Sequence, residues 1–101
     1  MKVALCRVAD IPPAGVKKID FFGREALVYL ADGRPRAVAN VCVHLGGPLE
    51  DTGDCLKCPW HGATYSKADG RKCDGPGRPD ARLMFLPTRV EDGVLFYTWQ
   101  E

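Results

Sequence analysis

The chain has 101 residues, 46% of them apolar and 27% charged, with a formal net charge of +1. Those values suit one globular domain with a core of its own. They argue against nucleic acid or an anionic membrane as partner, and no apolar run approaches the length of a membrane span.

The opening residues, Met1-Lys2-Val3-Ala4-Leu5-Cys6-Arg7, hold too short an apolar stretch for a secretory signal, so a cytoplasmic location is expected. Residues 3–8 then read as a first strand, ended by Pro12-Pro13-Ala14-Gly15. Residues 16–21 and 26–30 are two further strands, joined around Phe22-Gly23-Arg24. Asp32-Gly33 is a hairpin signal that returns the chain into a strand over 36–41. At the other end, residues 89–91 and 94–98 flank a second such signal, Asp92-Gly93. Short strands at regular spacing predict an all-β sandwich or barrel.

The middle of the chain, residues 42–87, differs in character. It holds four of the five cysteines, both histidines, and most of the glycine and proline. That is the composition of a loop-built site on a β scaffold. The odd cysteine count, with no export signal, argues against a disulfide framework.

Each histidine sits close to a cysteine. Cys42-Val43-His44 and Cys58-Pro59-Trp60-His61 are separated by thirteen residues. Two thiolates and two imidazoles suit a tetrahedral zinc ion. They also suit a 2Fe–2S centre in which two histidines replace two cysteines on one iron. The neighbours favour the second. Glycines follow both pairs, in Leu45-Gly46-Gly47-Pro48-Leu49 and His61-Gly62-Ala63-Thr64-Tyr65. A residue without Cβ lets backbone N–H groups approach a buried anion. Inorganic sulfides can receive such donors, and a zinc ion with four protein ligands has none to offer. Pro59 restricts the backbone between the second pair of ligands.

These two boxes, with Tyr65, Gly70 and Gly75-Pro76, resemble the Rieske ferredoxin family. The resemblance is specific from Cys42 to Gly77 and extends in layout over nearly the whole chain. It implies the all-β Rieske fold: an antiparallel barrel or sandwich base from residues 1–41 and 86–101, with a cluster-binding subdomain, about 42–85, inserted into it. It implies one 2Fe–2S cluster per chain, with Cys42 and Cys58 on the inner iron and His44 and His61 on the outer iron through Nδ1. Leu45, Gly46, Gly47, Trp60, Gly62, Ala63, Tyr65 and Pro76 would surround the cluster, Gly75-Pro76 lying in a covering loop. The two boxes stand a few residues closer together than is usual in the family. Residues 50–57 must therefore form a tight hairpin, turning at Asp51-Thr52-Gly53-Asp54.

Two ferric ions, two sulfides and two thiolates carry no net charge, so an added electron is accepted more easily than by an all-thiolate centre, and the potential falls in about −150 to +300 mV. High-potential members of the family carry a disulfide at the positions of Gly47 and Trp60 and a serine at that of Ala63. Their tyrosine is matched by Tyr65. With fewer donors to the cluster, a potential in the lower part of the range is expected.

The family's usual role implies a one-electron carrier with no catalytic residue of its own, and this length leaves no room for an oxygenase domain. A flavin-dependent reductase would be donor and a terminal oxygenase, or another oxidoreductase, acceptor. Docking would use the loop tip, through Val43, Leu45, Pro48, Pro59 and Trp60. Alternatives are a small Rieske-like subunit of an assimilatory nitrite reductase and a structural zinc module. Cys55 forms a CxxC with Cys58 but reads as a strand residue, and Cys6 and Cys73 as structural thiols. Anaerobically purified protein is expected to contain iron and acid-labile sulfide in equal amounts. A colourless protein with one zinc would decide for the zinc module.

Overall fold

A computed structural model describes residues 1–40, 49–59, 62–75 and 82–99. Among them are ten strands: β1 (Lys2–Arg7), β2 (Lys17–Phe21), β3 (Arg24–Ala31), β4 (Arg34–Ala39), β5 (Glu50–Asp51), β6 (Cys55–Lys57), β7 (Thr64–Ser66), β8 (Lys72–Asp74), β9 (Thr88–Glu91) and β10 (Val94–Thr98). They form three antiparallel sheets, ordered β1-β10-β9, β2-β3-β4 and β5-β6-β7-β8. The all-β expectation holds.

The two hairpin signals act as their chemistry dictates: Asp32-Gly33 and Asp92-Gly93 each link adjacent strands as two-residue loops, and Phe22-Gly23 does the same between β2 and β3. Both residues of each pair have φ between +50° and +84°. That is the mirror-image turn whose twist matches the flanking strands. The short connection between the two cysteine–histidine boxes also turns where expected. Thr52 N–H donates to Cys55 O at 3.0 Å, and Gly53 N–H donates to the Asp51 carboxylate at 2.9 Å.

Most strand bounds differ from the sequence pattern by one or two residues, and two of these shifts have a plain cause. The first strand stops at Arg7 because Val8–Asp10 closes into a 3-10 turn, with Ile11 N–H on Val8 O at 3.1 Å. The fourth strand runs back through Pro35, which sits on the edge strand of its sheet, where a missing N–H is tolerated.

The middle sheet is the partition of the fold. Ala26, Leu27, Val28 and Tyr29 of β3 are all buried, so the middle of this strand has no solvent face. Leu27 and Tyr29 join Val38 in a cluster with Leu49, Leu56, Cys58, Ala63, Tyr65 and Leu83. Val28 points the other way, into a second cluster with Ile11, Ala37 and Leu95. Register enforces this division, because Leu27 pairs with Val38 and Val28 with Ala37.

Polar ties fasten the small four-stranded sheet to the partition. Burial, eased slightly by Arg36, pushes the Tyr29 phenol up to about 12. It stays protonated and donates to Lys67 O at 2.7 Å. The buried Lys67 ammonium pairs with the Asp51 carboxylate at 2.6 Å. Partial burial opposes the Asp51 charge, but Lys67 and the Gly53 N–H outweigh it and hold the carboxyl below its ordinary pKa. A carboxyl depressed in the folded state stabilises the fold at pH above its unfolded value, and that contribution is lost as pH falls through the folded value. The Tm difference between wild type and Asp51→Asn is therefore expected to be full at neutral pH and to close as pH falls below about 3.9. Thermal melts across that window check it.

Candidate metal centre

β6 ends at Lys57, and the next residue, Cys58, turns its thiol into the larger apolar cluster, fully buried. The chain then folds back on itself. Gly62 N–H donates to Cys58 O at 2.8 Å, and Cys58 N–H donates to Ala63 O at 2.8 Å. Gly62 takes φ +80°, in the left-handed region where a Cβ is strained. This closed loop spans Cys58-Pro59-Trp60-His61 and delivers Ala63, also fully buried, to the start of β7. Tyr65 is fully buried on the same side and pairs in register with Leu56.

Gly75 lies directly against this loop. A Cβ there would stand 2.5 Å from Ala63 Cα, 2.8 Å from Ala63 N and 2.9 Å from Gly62 O. Those distances are far inside van der Waals contact with backbone, and Gly75 also has φ +100°. The glycine permits its own backbone to lie against that of Gly62 and Ala63.

Of the four expected ligands, Cys58 is among the described residues; Cys42, His44 and His61 lie outside them. The same holds for Val43, Leu45, Gly46, Gly47, Pro48, Trp60 and Pro76. Gly62, Ala63 and Tyr65 stand together around the Cys58 loop. Pro59, expected at a docking surface, is exposed.

The chemistry of Cys58 fits an iron–sulfur ligand. A bare thiolate in a wholly apolar cluster is costly to bury. Binding to iron neutralises that charge, and a coordinating thiol is deprotonated outright. The loop is closed by the two main-chain hydrogen bonds of Cys58, with the left-handed Gly62 at its end.

The remaining described cysteines stand apart from this point. Cys55 and Lys57 flank the buried Leu56 on β6, and Cys55 Sγ lies 3.7 Å from Cys73 Sγ of β8. Partial burial and the neighbouring thiol push the Cys55 pKa up. Cys55 is thus a strand residue, as its sequence context suggested, and its partner is Cys73, which is exposed and no part of the core. Cys6 packs at the edge of the second cluster.

Two described residues of consequence escaped the sequence reading. Asn40, two residues before Cys42 in sequence, is buried and accepts the Leu49 N–H at 2.8 Å. Lys67 is buried beneath Tyr29. A polar residue two positions before a ligand was the available signal for Asn40. Nothing in the sequence marked Lys67.

Residues 1–88 match the family model described as a Rieske 2Fe-2S domain. The chain is 34% identical over 93 residues to the oxygenase component of chloroacetanilide N-alkylformylase from Rhizorhabdus wittichii, covering 84% of this chain and 26% of that protein. It spans about a quarter or less of the first curated relatives it matches. In fold it is similar to the Sphingomonas yanoikuyae B1 ferredoxin, with a TM-score of 0.79 at 23% identity, covering 99% of this chain and 100% of that one. A chain from the complex of reduced oxygenase and oxidized ferredoxin in carbazole 1,9a-dioxygenase superposes with a TM-score of 0.75 at 20% identity, covering 94% and 90% of the two chains.

Gly75→Ala is expected to abolish or severely deplete the iron–sulfur content, because the new methyl must displace the Ala63 backbone. Cys55→Ser with Cys73→Ser should leave it at the wild-type level. Iron and sulfide per chain measure both.

Proposed function

The chain belongs to the Rieske 2Fe-2S domain family, and on that premise we propose that it is the ferredoxin component of a multicomponent ring-hydroxylating oxygenase system. Members of this family serve electron transfer and carry one 2Fe–2S cluster per chain. When bound, that group supplies a centre that takes up and releases one electron at a time.

In this reading Cys42, His44, Cys58 and His61 hold the cluster. The sheet β5-β6-β7-β8 belongs to a cluster-carrying part, about residues 42–85, set into a base of residues 1–41 and 86–101. The Cys58 loop keeps its ligand rigid through two main-chain hydrogen bonds, and the buried Leu49, Leu56, Ala63 and Tyr65 exclude water from its sulfur. The tip carrying Val43, Leu45, Pro48, Pro59 and Trp60 meets the partners. A flavin-dependent reductase is the donor and a terminal oxygenase the acceptor. The chain itself is a carrier without a reaction of its own.

The family match over residues 1–88, together with the likeness in fold to the Sphingomonas yanoikuyae B1 ferredoxin, supports this reading most. The carbazole dioxygenase complex is one in which a ferredoxin and an oxygenase associate.

Reduced protein is expected to deliver one electron per chain to an oxidised ring-hydroxylating terminal oxygenase in stopped-flow mixing. Transfer to an assimilatory nitrite reductase alone would overturn the oxygenase assignment. Ala63 brings a methyl group to the second ligand loop, where a hydroxyl would stabilise added charge. The midpoint should accordingly lie below about +100 mV, in the lower part of the Rieske range, by redox titration.

A further inference from the structure

Asn40 and Lys67 are the two buried polar side chains among the described residues. Lys67 is answered by Asp51 within the small sheet. Asn40 is placed differently. Its backbone N–H donates to Glu25 O at 3.1 Å, one step beyond the last β3–β4 pair, Ala26 with Ala39. Its Nδ2 donates to Glu25 Oε1. Its Oδ1 accepts the Leu49 N–H at 2.8 Å.

Leu49 is the residue before β5. Since Glu50 pairs with Lys57, the next step of that ladder sets Leu49 opposite Cys58. Both are buried in the same apolar cluster. The Asn40 amide therefore joins the end of β4 to the start of β5. Between those two points in sequence lie residues 41–48, with Cys42 and His44. On one side of the amide is the strand that leads into the first ligand box. On the other is the residue that faces the first ligand of the second box.

We propose that Asn40 is a positioning residue that sets the separation of the two ligand boxes through the Leu49 N–H, and so tunes the geometry of the cluster; this rests on the ligand assignment above. The amide accepts from Leu49 through Oδ1 and donates to Glu25 through Nδ2, on two separate atoms, whereas an ionised carboxylate only accepts and an apolar side chain does neither. Glu25 orients the amide and the amide orients Leu49. A buried N–H deprived of its partner either moves or bears the full desolvation cost. Ligand spacing must be held to about 0.5 Å for a metal site to keep its geometry, and groups beyond the ligands tune the metal they surround.

The test uses the full chain with its cluster. Asn40→Leu fills nearly the same space but neither donates nor accepts. It is expected to take up iron and sulfide, to show a changed electron paramagnetic resonance spectrum when reduced, and to lose its cluster to a chelator about tenfold faster than wild type. Asn40→Asp combined with Glu25→Gln exchanges which partner carries the amide and keeps the net charge. The new carboxylate accepts from both neighbours, so spectrum and loss rate should return to within about twofold of wild type. Val28→Ala lowers stability from the opposite cluster and should leave the spectrum unchanged. An Asn40→Leu protein with the wild-type spectrum and loss rate overturns the proposal, as does a double variant that behaves like Asn40→Leu. If Asn40→Leu fails to fold, Glu25→Leu, which leaves Asn40 in place but unheld, replaces it: a faster loss supports the proposal and an unchanged rate overturns it. Wild-type protein without iron and sulfide would sink the ligand assignment itself, which keeps the two failures distinct.

Discussion

A single strand whose middle has no face to water organises this molecule. Along β3, Leu27 and Tyr29 face one apolar cluster while Val28 faces the other. Each such side chain contributes about 1.5–3 kcal/mol on burial, and a register slip of one residue would reverse all of them at once. The alternation therefore couples the two halves of the protein. The outer sheet β1-β10-β9 is held from one side, and the sheet that carries Cys58 from the other.

Apolar contact sets that sheet at the right depth, and polar contact sets its position. Tyr29 reaches across from β3 to the Lys67 carbonyl, Lys67 reaches on to Asp51, and Asn40 reaches from the end of β4 to Leu49. Hydrogen bonds are directional where hydrophobic contact is not. Two such ties, from Tyr29 and Asn40, with the Lys67–Asp51 pair continuing the first within the small sheet, convert a layer that could slide into one with a defined place. Cys58 inherits that definition, because it follows β6 directly and its loop closes on Ala63, one residue before β7.

The same geometry parts Cys55 and Cys73 from Cys58. Cys55 and Cys58 are a CxxC in sequence, yet β6 turns Cys55 toward Cys73 while Cys58 enters the core. Proximity along the chain does not specify convergence in space once a strand intervenes, since successive side chains leave by opposite faces. The short connection between the two boxes is possible because Asp51, Thr52 and Gly53 make a tight turn from their own polar groups.

Local chemistry was legible in the sequence. The paired residues Asp32-Gly33 and Asp92-Gly93 declared their hairpins, because positive φ at both positions needs such residues. The spacing and flanking glycines of the two cysteine–histidine boxes declared a family, because ligand type and backbone access are written in consecutive residues. Asn40, Lys67 and the contact of Gly75 with Ala63 were not legible in this way. Each depends on a partner brought close by sheet order and register: Leu49 for Asn40, Tyr29 and Asp51 for Lys67, the Cys58 loop for Gly75. Sequence by itself determined which groups could bind and where the chain must turn. Tertiary structure alone decided which buried polar group meets which, because hydrogen bonding between distant residues is a property of packing and not of neighbouring letters.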